Sequence, residues 1–404
     1  MDILEKSRKI LAQPVCNNCL GRQFGQLLSG YGNSERGELI RSLAAMSIDN
    51  EKGGTENMEM SNFSGFKFHN LVAKIPKRKK CSVCGDFFSG LDKWTGKTAA
   101  KAKNYEFRTF LVGTKLSFDL ITREEELWER AGIDYCEPIK AEINREIGKK
   151  IERILHAKFE PKNPDVNVIL DIENKKVAIE INPLFIYGEY QKLVRGIPQT
   201  KWPSGKYKTS VEQIIAKPFM LAANGKGHKL HGMGREDIDA RCLAWRPFVL
   251  EILNPQKRRL NLKKLSKKIG KDVRVRNIKP SNIQQVREIK EAKLDKSYRA
   301  IVLCDKKISG KELKKLASLK LIRQNTPQRV LHRRADRLRK KNVRRIKARL
   351  LTKNKFELIV KGEAGLYIKE LVSGDNGRTR PSVSELLGCK CVAKDLDVIK
   401  IHRR

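Results

Sequence analysis

Carboxylates are scarce in this chain. Its 404 residues carry 46 Asp and Glu against 86 Lys and Arg, a formal net charge of +40. A compact fold with that surplus repels itself unless a polyanion sits against it, and nucleic-acid phosphates reward clustered Lys and Arg by releasing counterions. A membrane surface is the competing anion. However, no run of about 18 apolar residues is present, and the opening MDILEKSRKI lacks the apolar core of a secretory signal. A soluble, cytoplasmic protein with no membrane partner is therefore expected. Also missing are a G-x-x-x-x-G-K-[ST] phosphate loop, a G-x-G-x-x-G after a strand, and an H-E-x-x-H pair. These absences argue against ATP-driven helicases, common dinucleotide enzymes and zinc proteases. Disorder is excluded as well, because 40% of the residues are hydrophobic, enough to build the cores of two or three domains.

Nine cysteines are present, an odd number in a chain without an export signal, so disulfide scaffolding is a poor reading. Four form two C-x-x-C knuckles, Cys16/Cys19 and Cys81/Cys84, each followed by a glycine (Gly21, Gly85) where a turn must tighten. Two such pairs supply the four thiolates of a tetrahedral structural zinc site and leave no open position for catalysis; two unrelated redox or buried pairs are the alternative. The 61 intervening residues (20–80) exceed zinc-ribbon spacing, so helices or an insertion must lie between them. Cys136, Cys242, Cys304, Cys389 and Cys391 read as buried thiols, the last two sharing one strand face, with metal binding by Cys389 and Cys391 as the minor alternative.

Along the chain, GELIRSLAAM predicts a short helix and SIDNEKGGTENMEMSNFSG a solvated loop. KIPKRKK (74–80) holds five basic residues in seven and suits either a solvated charge run or an RNA contact. YEFRTFLVGTKL and SFDLIT alternate like strands. Pro138 opens a helix with Ile139, Ile143, Ile147, Ile151 and Ile154 on one apolar stripe. DVNVILDI and KVAIEI then predict two strands joined by Glu173–Lys175. A boundary is expected near KWPSGKYKTS (201–210), after which Ser210-x-x-Gln213 caps a helix. The remainder carries two basic blocks. Residues 255–276 have ten Lys and Arg against one Asp, and residues 323–349 have twelve against one.

The conspicuous acidic feature is HGMGREDIDARCLAWRPFVLEIL (231–253), where Glu236, Asp237 and Asp239 lie between Arg235 and Arg241 after two glycines. Opposite charge favours the anionic carboxylate, and an anionic Asp on a glycine-shaped loop suits a nucleophile or general base. Read alone, the same residues also suit a surface salt-bridge cluster.

These residues resemble the Pus10-type tRNA pseudouridine synthases. GREDIDAR with RPFVLEI is similar to that family's catalytic motif and KSYRAIV (296–302) to its tyrosine segment. QNTPQRVLHRRADR (324–337) and GLYIKELVSGDNGRTRPS (365–382) resemble two further signatures, while CNNCLGRQFG and CSVCG look like its zinc knuckles. The α+β module ending near residue 200 resembles a THUMP domain. The likeness spans nearly the whole chain, and its size suggests the archaeal branch. It implies an α+β protein with a zinc-binding region over 1–95, a THUMP-like RNA-binding module over 96–203, and a synthase domain over 204–404 built on a mixed, mainly antiparallel sheet flanked by helices.

By the same resemblance, the enzyme isomerises uridine 54 and/or 55 in the tRNA T arm as a monomer, with structural zinc and no catalytic or nucleotide cofactor. Asp237 would be the catalytic aspartate, Tyr298 the ring stacking on uracil, Lys369 the basic partner of Asp237, and Leu371 the apolar residue lining the pocket. Asp239 would have a structural role, and Arg235, Arg333 and Arg334 would contact RNA. One departure stands out: Cys242-Leu243-Ala244-Trp245 replaces the family's glycine-containing turn before Arg246. Two other classes compete. A non-catalytic RNA clamp would tolerate loss of Asp237, Tyr298 and Lys369, which are all present. A THUMP-bearing methyltransferase or thiouridine synthetase would need a cofactor loop that is missing.

Overall fold

The computed structural model describes residues 2–51, 55–71 and 74–402. The chain forms two compact units, 1–182 and 183–404. The division falls about twenty residues before the expected boundary at 203/204, because residues 184–192 form a strand in the second unit's sheet. The two expected N-terminal domains, 1–95 and 96–203, share one apolar core instead. It runs from Ile10 through Phe63 and Ile147 to Val177.

In the first unit, helices Ile3–Leu11, Asn17–Gly21, Asn33–Asn50, Leu91–Ala102, Phe118–Ala131 and Ile139–Leu155 accompany a four-stranded sheet. Its strands are β1 (Thr109–Lys115), β2 (Lys158–Phe159), β3 (Val166–Asp171) and β4 (Lys176–Ile181), in the order β2-β1-β3-β4. The isoleucine stripe places Ile139, Ile143, Ile147 and Ile151 fully inside, whereas Ile154 is exposed near the helix end. SFDLIT is not a strand. Of its apolar residues only Leu120 is buried, and it continues with Leu127 and Ala131 at helical spacing while Phe118 faces solvent.

The expected loop after residue 46 is also partly ordered. The preceding helix runs to Asn50, and Met60–Phe63 forms a helical turn with Phe63 buried against the rings of Phe66 and Phe68. The Asn62 side chain binds the backbone of Leu11, Gln13 and Val15. Anchors of this kind have no sequence period, which is why periodicity missed them. Residues 52–54 of that segment lie outside the described residues.

The second unit carries a ten-stranded sheet. Its strands are β5 (Leu184–Lys192), β6 (Gly227–Gly232), β7 (Ala240–Leu253), β8 (Val273–Ser281), β9 (Lys296–Cys304), β10 (Leu321–Gln324), β11 (Arg339–Thr352), β12 (Lys355–Gly362), β13 (Thr379–Arg380) and β14 (Cys391–Ile401). The order is β13-β10-β11-β12-β9-β14-β7-β5-β8, with β6 also paired to β7. In this sheet, among the described residues, only β14 and β7 run parallel. Ser210 accepts a bond from the Gln213 amide at 3.2 Å and opens the helix Val211–Ala223 as an N-cap, while its hydroxyl, rather than its backbone N–H, donates to the Gln213 side chain, so only half of the expected capping box forms. Cys242–Trp245 is not a turn. It lies inside the continuous strand β7, with Cys242 and Ala244 buried and Trp245 under the Arg276 guanidinium.

Candidate active site

Asp237 sits on the loop between β6 and β7, and the loop's backbone is held from beneath. The buried Lys192 ammonium at the end of β5 donates to the carbonyls of Ile197, Asp237 and Ile238 at 3.0–3.1 Å. Glu236 turns inward, forming a fully buried ion pair with Arg246 at 3.1 Å and accepting a bond from the Tyr190 hydroxyl at 3.0 Å. Breaking one side of such a pair leaves a buried charge without its partner, so the pair strongly resists rearrangement. With Glu236 anchored inside, its neighbour Asp237 faces a cleft of about 430 Å³. Gly234, at φ +76°, is required here: a Cβ would lie 3.2 Å from both the Arg246 guanidinium and the Lys296 ammonium.

The cleft gathers Arg235, Asp237, Tyr298, Lys296, Arg329 and Arg334, with Leu366, Ile368 and Val398 among its apolar walls. Tyr298 projects from β9, where it pairs in register with Val398 of β14. Burial pushes its phenol up to about 12, so at neutral pH it is an uncharged ring with a hydroxyl.

The arginines expected to flank Asp237 do not pair with it. Arg235 is exposed. Arg241 instead bonds Asp397 at 2.8 and 2.9 Å, joined by Arg195 at 2.6 Å and Arg299 at 2.9 Å. Burial opposes the charge on Asp397, but these arginines outweigh it and hold the carboxyl at about 2.

The cation on Asp237 comes from far along the chain. Arg329 donates from Nη1 to Asp237 Oδ1 at 3.0 Å and from Nε to the buried Glu370 at 2.7 Å. Lys369, the basic residue expected to pair with Asp237, is 3.8 Å from that carboxylate but 2.6 Å from Asp239. Leu371 is fully buried in the core and is not among the residues lining the cleft; Leu366 and Ile368 take that place. Arg334 does line the cleft and donates to the Tyr367 hydroxyl at 2.7 Å. The side chain of Arg333 lies outside the described residues.

Arg329 and Lys296 were not singled out from sequence. Arg329 lies within the quoted QNTPQRVLHRRADR, but nothing separates it from the other arginines there. Its position depends on Gln324, whose buried amide bonds both the N–H and the carbonyl of Tyr367, and on Asp375, which accepts from the Gln328 amide at 3.0 Å. These contacts tie the turn bearing Arg329 to the helix Ile368–Ser373.

In the first unit, the sulfurs of Cys16, Cys19, Cys81 and Cys84 all lie within 4.8 Å of one another, with Cys16 and Cys84 at 3.6 Å. That spacing fits four thiolates on one tetrahedral ion. Gly85, at φ +59°, shapes the second knuckle as expected. Gly21 has another role: a Cβ there would fall 1.9 Å from the Asn33 carbonyl, so it lets the first knuckle's helix meet Asn33–Asn50. Arg22, buried beneath, places Nη1 3.1 Å from the Cys19 sulfur and Nε 3.3 Å from Glu124. In the basic run beside the second knuckle, Arg78 and Lys79 pair with Asp86 and Glu59.

Among the described residues, no helix is long and apolar enough to cross a membrane. A family description for the Pus10 C-terminal region matches residues 185–402, and one for the archaeal Pus10 THUMP domain matches residues 94–171. The chain is 39% identical over 407 residues to the tRNA pseudouridine synthase Pus10 of Pyrococcus furiosus, covering 99% of this chain and 98% of the relative. It is 39% identical over 429 residues to that of Methanothermobacter marburgensis, covering 99% of both. With the Methanopyrus kandleri protein of the same name the figure is 38% over 416 residues, covering 95% of both.

Proposed function

The chain belongs to the Pus10 family of tRNA pseudouridine synthases, and from that premise we propose that Asp237 drives isomerisation of uridine 54 and/or 55 in the T arm. The observation that carries this reading is the shared cleft of Asp237 and Tyr298, with Asp237 ion-paired to Arg329. The reaction breaks the uridine N1–C1′ bond, turns the uracil and joins C5 to C1′. The C5 proton is lost and N1 gains one, so no redox change and no group donor is needed. A carboxylate is required to attack C1′ or to accept a ribose proton. Glu236, Asp237 and Asp239 all line the cleft, but Glu236 is committed to its buried pair with Arg246 and Asp239 to Lys369 at 2.6 Å, which leaves Asp237 for the chemistry. The base must leave its stack at a cost of a few kcal/mol. An aromatic ring restores roughly 1–3 kcal/mol of stacking, which Tyr298 is placed to supply. The four N-terminal cysteines hold a structural zinc, and the enzyme acts as a monomer.

The position is tested by incubating the protein with an unmodified tRNA transcript and mapping pseudouridine by carbodiimide primer extension. Product at 54, 55 or both is expected, and product confined to another arm rejects the assignment.

Arg329 and Lys296 give two further expectations. Arg329→Ala removes the hydrogen-bonded cation of Asp237, leaving it only Lys369 at 3.8 Å, and strands the buried Glu370. The loss of a charged bond to a buried acid costs about 1–3 kcal/mol of stability. Single-turnover rates should fall by about a hundredfold, the low end for a positioned catalytic group, while Arg329→Lys, which cannot reach both acids in fork geometry, recovers only part. Unchanged single-turnover rates would remove Arg329 from the site.

Lys296 faces the cleft with no hydrogen bond or ion pair among the described residues, and burial, reinforced by Arg246, lowers its ammonium to about 8. It is charged below that pH and neutral above it, so any RNA phosphate it holds is released as pH rises. The KM for tRNA should climb through pH 8 in the parent and do so less in Lys296→Met. Identical profiles would assign the titration to another group.

A further inference from the structure

Three cysteines outside both sites converge at one end of the synthase sheet. Cys304 closes β9 and stands directly opposite Cys391, the first residue of β14, with their sulfurs 3.2 Å apart. Cys389 reaches in from the turn after the helix Val383–Leu387, its sulfur 3.6 Å from that of Cys391. It precedes β14 rather than sharing a strand face with Cys391, contrary to the sequence-based expectation. All three sulfurs lie within 4.8 Å of one another.

We propose that Cys304, Cys389 and Cys391 bind a second thiophilic divalent cation, zinc in the resting protein. Thiolates bound to zinc at about 2.3 Å in tetrahedral geometry stand roughly 3.8 Å apart, and the Cys16–Cys84 distance in the four-cysteine cluster, 3.6 Å, matches that of Cys389 and Cys391. Coordination replaces three S–H protons by one dication, and the protons leave to solvent.

The turn bearing the sulfurs is fixed by groups that are not ligands. The Cys391 amide donates to Ser384 Oγ at 2.9 Å and the Cys389 amide to the Ser384 carbonyl at 3.2 Å. On the other side, Asp305 accepts from the Lys390 amide and donates its own amide to the Lys390 carbonyl, both at 3.1 Å. Cys304 and Cys391 are buried while Cys389 is half-buried, so a fourth ligand would have to come from the solvent side.

Tyr298 lies six residues back along β9, about 20 Å away at strand rise, so the ion takes no part in the reaction. It clamps the far ends of β9 and β14, the two strands that carry Tyr298 and Val398 into the cleft.

The test is zinc stoichiometry on the full-length protein, purified from zinc-supplemented cells without chelator and measured by plasma mass spectrometry. The parent should hold two zinc ions per chain, Cys389→Ser and Cys391→Ser about one each, and Cys81→Ser combined with Cys391→Ser close to none. Cys389 is the half-buried member, so its replacement leaves folding least disturbed, as circular dichroism would check. A parent with one zinc, unchanged by Cys389→Ser and lost in Cys81→Ser, overturns the proposal. So does a parent about 2 Da lighter than its reduced form, with the difference abolished by Cys391→Ser, because that is a Cys304–Cys391 disulfide.

Discussion

Asp237→Asn should abolish tritium release from C5-labelled uridine in an unmodified tRNA, lowering the rate by at least about 10³-fold. The substitution suits the question because Asn keeps the shape and keeps an oxygen for Arg329, which donates to Oδ1 at 3.0 Å. The loop should also survive, since it is held by Lys192 through backbone carbonyls and by the buried Glu236–Arg246 pair. What changes is the charge and basicity at the one atom the chemistry needs. Affinity for tRNA should stay within about threefold, because phosphate contacts by cations dominate binding. Equal release from parent and variant would remove Asp237 from the reaction. Loss of both release and binding would instead place it in the RNA contact.

Cys81→Ser should remove one equivalent of zinc and loosen the first unit. Metal binding at structural zinc sites is folding free energy, about 10–16 kcal/mol in isolated zinc-finger peptides. Here a packed core shares the work, and Cys81 and Cys84 belong to the same cluster as Ile10, Leu20 and Phe63. A loss of about 3 kcal/mol would lower the melting temperature of a unit of this size by roughly 6–12 °C. Metal analysis with scanning calorimetry reads both effects. Unchanged zinc content refutes a shared site of Cys16, Cys19, Cys81 and Cys84. Because Arg22 and Glu124 are buried under the cluster, the variant also leaves a charged pair below a weakened lid, which adds to the cost.

Much of the local structure was legible along the chain. The isoleucine stripe of Ile139–Leu155, the N-cap at Ser210, the strands Val166–Asp171 and Lys176–Ile181, and the two knuckles all carry short-range signals, a period or a spacing that holds within a few residues. SFDLIT failed because six residues fit either period, and only Leu127 and Ala131 further on decide it. The segment around Phe63 failed because its anchors are single contacts to distant residues. Gly21 was noticed for the wrong reason, since its need is set by Asn33 across a helix contact rather than by its own turn.

The site divides the same way. The charge surplus, the carboxylate-bearing loop, the tyrosine segment and the knuckles can be read along the chain, because residue type and near spacing are linear properties. Which cation meets Asp237 depends on the folded arrangement of distant segments. The nearby arginines, Arg235 and Arg241, went to solvent and to Asp397, and Arg329 arrived from 92 positions away. The fold also moved Lys369 toward Asp239, withdrew Leu371 into the core and drew Cys304 against Cys391 across 87 positions. Such pairings follow from strand order and buried polar anchors such as Gln324. In a chain with 86 basic residues, proximity in sequence says little about which charge will neutralise which.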